Sequence, residues 1–319
     1  MSKHHPFRFG VINTQMKPCS AWIEHVRQVE NLGYSTLLLR DHFVPDFFGD
    51  QYAPIAALAT AAAVTTSLRI GTLVIDNDYR HPVMLAKEAA TLDVLSGGRL
   101  ELGLGAGWLR SEYEQAGMTY DRAGVRIDRL EEALCLLKGL FDEEPCTFQG
   151  QHYQISNLIG FPTPTQRPHP PILIGAGKQR MLTLAGREAN IVGFLTSSVS
   201  SGTLLDSPDE RMAHAVHEKI SWVRNGAENR FDEIELSLCP TLVLSNNRFE
   251  AAERYLHQKG WQSITVEDVL AMPSVLIGSV QEIVADLKLR REMYGFSYYI
   301  VDDHEMVDFA PVVADLSGK

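Results

Sequence analysis

Asp41 and His42 stand side by side after Leu37-Leu38-Leu39-Arg40. A histidine at the carboxyl end of a strand can give or take a proton near neutral pH, and a neighbouring carboxylate orients it or raises its basicity. The same pair also suits a loop-capping aspartate beside a structural, hydrogen-bonded histidine. A second candidate is Gly175-Ala176-Gly177-Lys178-Gln179-Arg180, which joins an apolar strand to a helix. Glycines let a backbone approach a phosphate, a helix N-terminus aims free N–H groups at it, and Lys178 and Arg180 add positive charge. A tight turn needing positive φ also explains glycines. The position, after a long insertion and a strand, favours phosphate binding. In the third candidate, Gly103-Leu104-Gly105-Ala106-Gly107-Trp108, the glycines come too early for the dinucleotide spacing G-x-G-x-x-G. Small residues there leave room for a flat ring.

Other clusters carry less. His214 and His217 sit three apart, but nothing nearby completes a ligand set, so they read as a solvated helix face. His4, His5, His25 and His257 read as surface residues. Asp302-Asp303-His304 follows the last strand and reads as a polar rim; no metal site is expected. The chain has no G-x-S-x-G, H-E-x-x-H or P-loop, which removes the commonest hydrolase and NTPase readings.

Apolar periodicity supplies the elements that must position these residues. Strands are expected at residues 7–12, 35–39, 68–74, 99–104, 172–174, 191–195, 234–244 and 297–301. Helices are expected between them, at 20–32, 54–64, 82–95, 125–141, 180–187, 208–223, 249–259, 279–293 and 306–316. Ser279 and Glu282 form a capping box at the start of one of these. Strand connections of this length imply parallel pairing, so the fold class is α/β, expected as a (β/α)8 barrel. A doubly wound open sheet is the alternative, because counting strands does not establish closure. Residues 105–170 depart from the alternation, with two short antiparallel strands around Gln149-Gly150-Gln151 and then a proline-rich approach. One domain covering residues 1–319 is expected. In a parallel barrel the residues just past each strand line the site, which adds Asn13-Thr14 and Thr196-Ser197 to those above.

Composition sets outer bounds. An apolar share of 45% over 319 residues permits a sizeable core. A net charge of −11 argues against nucleic-acid or anionic-membrane partners. Four scattered cysteines without C-x-x-C read as small buried residues in a reducing compartment. The first residues enter a strand without an apolar signal core, and no run approaches a spanning helix, so a cytoplasmic protein is expected.

Five segments together resemble the luciferase-like flavin oxidoreductases, specifically the branch using the deazaflavin coenzyme F420. They are RDHF (40–43), IGTLVIDNDYRHP (70–82), ATLDVLSGGRLELGLGAGW (90–108), the EYEQAG…R…RLEEAL insertion (112–134), and PPILIGAGKQRMLTLAGREANIVGF (170–194). The resemblance covers essentially the whole chain. It implies a (β/α)8 barrel, usually a homodimer, holding the ring at the carboxyl-terminal mouth. Asp41 would then meet the polar edge of the ring, with His42 as proton donor or acceptor beside it. Leu73 and Val74 would carry a non-proline cis peptide behind the ring, and Asp76 would touch the ring or its side chain. Ala106 and Gly107 would line the ring, and Gly175, Ala176, Gly177, Lys178 and Gln179 would take the phosphate.

One residue departs from the pattern. Relatives that oxidise a sugar phosphate carry a glutamate after the glycine matching Gly107, where this chain has Trp108. With Phe43, Phe47, Phe48 and Tyr79, it suggests an aromatic-lined pocket for a less polar small molecule, with Thr196 as a further pocket residue. The leading expectation is an F420-dependent oxidoreductase moving a hydride to or from a small organic substrate. The alternatives are an FMN-dependent two-component monooxygenase on the same barrel and a catalytically silent flavin-binding barrel.

Overall fold

Eight parallel strands close on themselves. In the computed structural model, which describes residues 5–45, 49–200 and 202–319, they are β1 (Arg8–Ile12), β2 (Thr36–Leu39), β3 (Arg69–Thr72), β4 (Leu100–Gly105), β5 (Ile172–Ala176), β6 (Ile191–Phe194), β7 (Glu235–Leu238) and β8 (Phe296–Asp302). Neighbours run β3-β2-β1-β8-β7-β6-β5-β4, and the pairs Ile70↔Leu100 and Gly71↔Glu101 join β3 to β4. That last pairing makes the sheet a barrel and removes the open-sheet alternative. Phe47, Phe48 and His4 lie outside the described residues.

Each strand is followed by a helix: α1 (Cys19–Asn31), α2 (Pro54–Val64), α3 (Pro82–Ser96), α4 (Ala123–Leu140), α5 (Gln179–Glu188), α6 (Ala213–Ala227), α7 (Val280–Tyr294) and α8 (Met306–Leu316). Alternation along the strands sorts the core into two layers. Ile12, Leu38, Leu173, Ile191, Tyr298 and Ile300 fill the lumen, while Phe9, Val11, Leu37, Leu39 and Leu102 face the helices. Inside the lumen, buried Glu101 accepts from Arg69 Nε at 2.6 Å and pairs with Arg8. The expected capping box opens α7, with Ser279 N–H donating to Glu282 at 2.8 Å.

Several expectations need correction. The strand expected at 68–74 stops at Thr72, and Ile75–Asp76 pairs separately with Leu104 and Gly105; between them the Leu73–Val74 peptide is cis, as the resemblance implied. The strand expected at 234–244 is two strands, because Pro240 has no N–H to continue a ladder. Its second half, Thr241–Leu244, leaves the barrel and pairs with Val275–Gly278, a strand the periodicity did not reveal. Together with helices Arg248–Lys259 and Val266–Ala271 this excursion buries its own cluster of Tyr255, Val269, Met272 and Ile277. The helix expected at 208–223 is a 3-10 turn, Pro208–Arg211, followed by α6.

His25 is buried, because it shares the stripe Trp22, Val26 and Val29 of α1. Burial, reinforced by Lys17, lowers its pKa to about 4. The cysteines are not buried: Cys19, Cys135 and Cys239 are exposed free thiols and Cys146 is half-buried. The expected hairpin in the insertion is present, Cys146–Gln149 with Gln154–Leu158. Glu132 of α4 holds it by accepting from the N–H groups of Gln151, His152 and Tyr153 at 2.7, 2.9 and 3.1 Å.

Candidate active site

The carboxyl-terminal mouth of the barrel brings together residues far apart in sequence. Asp41 follows β2 and is 4% exposed. Arg80 grips its carboxylate with both terminal nitrogens, Nη2 to Oδ1 at 2.9 Å and Nη1 to Oδ2, and Asp76 N–H donates to Oδ2 at 3.2 Å. A planar guanidinium meeting a carboxylate in this way gives orientation as well as charge pairing. It rivets the end of β2 to the elbow after β3.

His42 points the other way. Its Nδ1 lies 2.9 Å from Glu112 Oε2, and Glu112 is fully buried on the short helix Arg110–Gln115. Tyr79 OH donates to the same oxygen at 2.7 Å, while Phe43 N–H and Val44 N–H (3.3 Å) donate to Oε1. Burial pushes the Glu112 carboxyl up, but the hydrogen bonds from His42, Tyr79 and Phe43 outweigh it and hold it below the usual range. Trp108 stands edge-on to the imidazole, ring centres 5.9 Å apart at 82°. Phe43, half exposed, stacks on Tyr79 at 4.2 Å.

Asp76 is buried beneath this layer. Tyr113 OH donates to its Oδ1 and Oδ2 at 2.9 and 2.8 Å, and Asp78 N–H donates to Oδ1 at 2.9 Å. Burial, with Asp78 and Asp41 nearby, outweighs these bonds and raises its pKa to about 7. Gly107 leaves room for the arrangement. It has φ +72°, and a Cβ there would fall 1.9 Å from Tyr113 OH. Ala106 beside it is half-buried, its carbonyl accepting from Arg126 Nε at 3.1 Å.

Val74 occupies a trough of glycines. A Cβ on Gly105, Gly103 or Gly175 would meet its methyls at 2.7, 3.2 or 3.3 Å. Leu73 and Val74 therefore converge with Gly175 at one place. Gly177 and Lys178 follow, and Gln179 opens α5, whose N-terminus has no side-chain cap among the described residues. Lys178 is not held open for a ligand, since it pairs with Glu210 of the 3-10 turn. Glu210 also meets the buried Lys219 at 2.8 Å, and Lys219 Nζ donates to Leu195 O at 2.9 Å. Thr196 is 6% exposed, so it is part of the wall and not of an open pocket. After β8, Asp302, His304 and Glu305 bring their ligand atoms within 4.8 Å of one another, and Asp302 lies 3.7 Å from Arg40.

Sequence reasoning missed Glu112, Tyr113, Glu210 and Lys219, and took in Arg80 only as part of the segment 70–82. Glu112 carried one faint signal: an acidic residue beside tyrosine inside an insertion that otherwise reads as a surface helix.

The luciferase-like monooxygenase family model matches residues 4–274. The F420-dependent glucose-6-phosphate dehydrogenase of Kineococcus radiotolerans is 33% identical over 231 residues, 70% of this chain and 66% of that relative. The FMNH2-dependent dimethylsulfone monooxygenase of Pseudomonas putida is 26% identical over 184 residues, 56% of this chain and 50% of the relative. Among solved structures, an F420-dependent secondary alcohol dehydrogenase superposes with TM-score 0.75 at 16% identity, covering 98% of this chain and 99% of that one. The F420-dependent tetrahydromethanopterin reductase from Methanopyrus kandleri gives 0.74 at 17%, covering 97% and 96%. The chain belongs to the luciferase-like monooxygenase family, a class of barrel oxidoreductases.

Proposed function

We propose that this chain is an F420-dependent oxidoreductase acting on a small organic substrate, with His42 handling the proton. The observation that carries the reading is the convergence of His42, the glycine trough around Val74, and the uncapped N-terminus of α5 on one barrel mouth. The deazaflavin, when bound, supplies the hydride chemistry. The residues fit such a group. Gly103, Gly105 and Gly175 seat Val74 as the backing of a flat ring, and the uncapped N–H groups at the start of α5 suit a phosphate.

The protein's own contributions are positioning and proton transfer. Val74 and Ala106 bound the ring site, and Asp41 and Asp76, anchored by Arg80 and Tyr113, set its polar edge. Phe43 and Trp108 make the substrate side aromatic and disfavour a sugar phosphate. The exposed Met84 and Leu95 on α3 support a homodimer through that face. FMN is the second reading, favoured by the dimethylsulfone monooxygenase relative.

Titration of the purified protein with F420 and with FMN tests the cofactor; tight FMN binding without F420 binding overturns the first choice. A His42→Ala protein that binds cofactor yet keeps wild-type turnover refutes the proton role.

A further inference from the structure

Glu112 is a fully buried carboxylate whose hydrogen-bond partners are Tyr79 OH, two backbone N–H groups and His42. Of these four, only His42 can carry positive charge. A buried carboxylate is costly unless it is paired or richly hydrogen-bonded, so this charge has a natural counterion in the imidazolium. The two oxygens divide the work. Oε1 takes the backbone N–H groups of Phe43 and Val44 and so fixes the carboxylate to the loop that carries His42. Oε2 takes Tyr79 and His42 Nδ1.

The hydrogens on Oε2 are set by elementary chemistry. An ionised carboxylate accepts and cannot donate. Burial and the neighbouring carboxylates hold the Tyr79 phenol well above its ordinary range, so it stays a donor. His42 Nδ1 must then donate as well, which makes Nε2 the unprotonated nitrogen of the neutral ring. The edge of Trp108 limits ring rotation from another side.

We propose that Glu112 is the positioning residue for His42: it fixes the Nδ1–H tautomer, makes Nε2 the atom that takes and returns the reaction proton, and balances the imidazolium while the proton is held there. Tyr79 and the Phe43 and Val44 N–H groups position Glu112 in turn. The proposal rests on His42 having the proton role given above, but the tautomer is a property of the chain itself and can be read without cofactor or substrate.

The test is imidazole ¹⁵N NMR of the full chain labelled in histidine, with His42 assigned by its loss in His42→Gln. The wild type should show Nδ1 protonated and Nε2 bare, with the Nδ1 proton far downfield. Glu112→Ala should release the ring toward the Nε2–H form that free histidine prefers. Glu112→Gln, nearly isosteric and so the safer fold, should move the Nδ1 proton upfield. A wild-type Nε2–H tautomer overturns the proposal before any variant is made. So does an Nδ1 resonance unmoved in folded Glu112→Gln. Quenching of F420 fluorescence on the same samples separates the two readings: wild-type protein that fails to bind F420 removes the cofactor assignment and leaves the tautomer result standing.

Discussion

Replacing Arg80 with methionine isolates the rivet between β2 and the elbow after β3. Methionine keeps much of the stem and removes the charge, leaving the Asp41 carboxylate, 4% exposed, with Asp76 N–H and no guanidinium. Removing one partner of a buried ion pair costs about 3–5 kcal/mol. The Arg80 side chain is 20% exposed, so water reaches the vacated space and the low end applies, about 3 kcal/mol. For a chain of 319 residues that lowers the melting temperature by about 4–5 °C. Guanidinium denaturation of the wild type, Arg80→Met, and Arg80→Met combined with Asp41→Asn measures it. The second substitution neutralises the stranded carboxylate and should recover half or more of the loss. A double variant no more stable than the single would show that the cost is lost packing and not an unpaired buried charge.

Asp76 gives a pH signature. Its folded pKa is raised to about 7, above the ordinary carboxyl value, so between roughly pH 4 and 7 the native state keeps a proton that the unfolded state releases. Stability should fall as pH climbs through that window, by up to about 4 kcal/mol. Asp76→Asn should flatten the curve in denaturant titrations at pH 5 and 8, and an unchanged slope refutes the assignment. Gly107→Ala places a methyl on Tyr113 OH and a side chain at positive φ, so about 2–4 kcal/mol should be lost and Asp76 left short of a donor; thermal unfolding reports it. Glu210→Gln should free Lys178 for a phosphate and tighten F420 binding roughly threefold to tenfold, about 1 kcal/mol. Weaker or unchanged binding by fluorescence titration counts against a phosphate at that turn.

Much of the mouth was legible because a buried parallel strand is an apolar run, and the polar residue ending it marks its rim. Asp41-His42, one residue past the end of β2 at Leu39, follow that rule. Closure was not legible, since the β3–β4 hydrogen bonds are backbone pairings that any side chains permit. Glu112 was hidden for a different reason: burial of a charged helix residue depends on tertiary neighbours, and a segment reading Arg-Ser-Glu-Tyr-Glu-Gln looks like solvent-facing surface. His25 was missed avoidably, because its i, i+3, i+4, i+7 company with Trp22, Val26 and Val29 had already marked that stripe as inward.

The Asp41–Arg80–Asp76 rivet and the Glu112 bonds tie only one arc of the rim to the barrel wall. The opposite arc, from Leu195 past the hairpin Ser198–Ser200 with Thr203–Leu205 to Glu210, is held by Glu210 between the exposed Lys178 and the buried Lys219. An engineer seeking new substrates would therefore randomise that second arc and leave the first untouched, treating the barrel as a fixed chassis with one exchangeable faceplate.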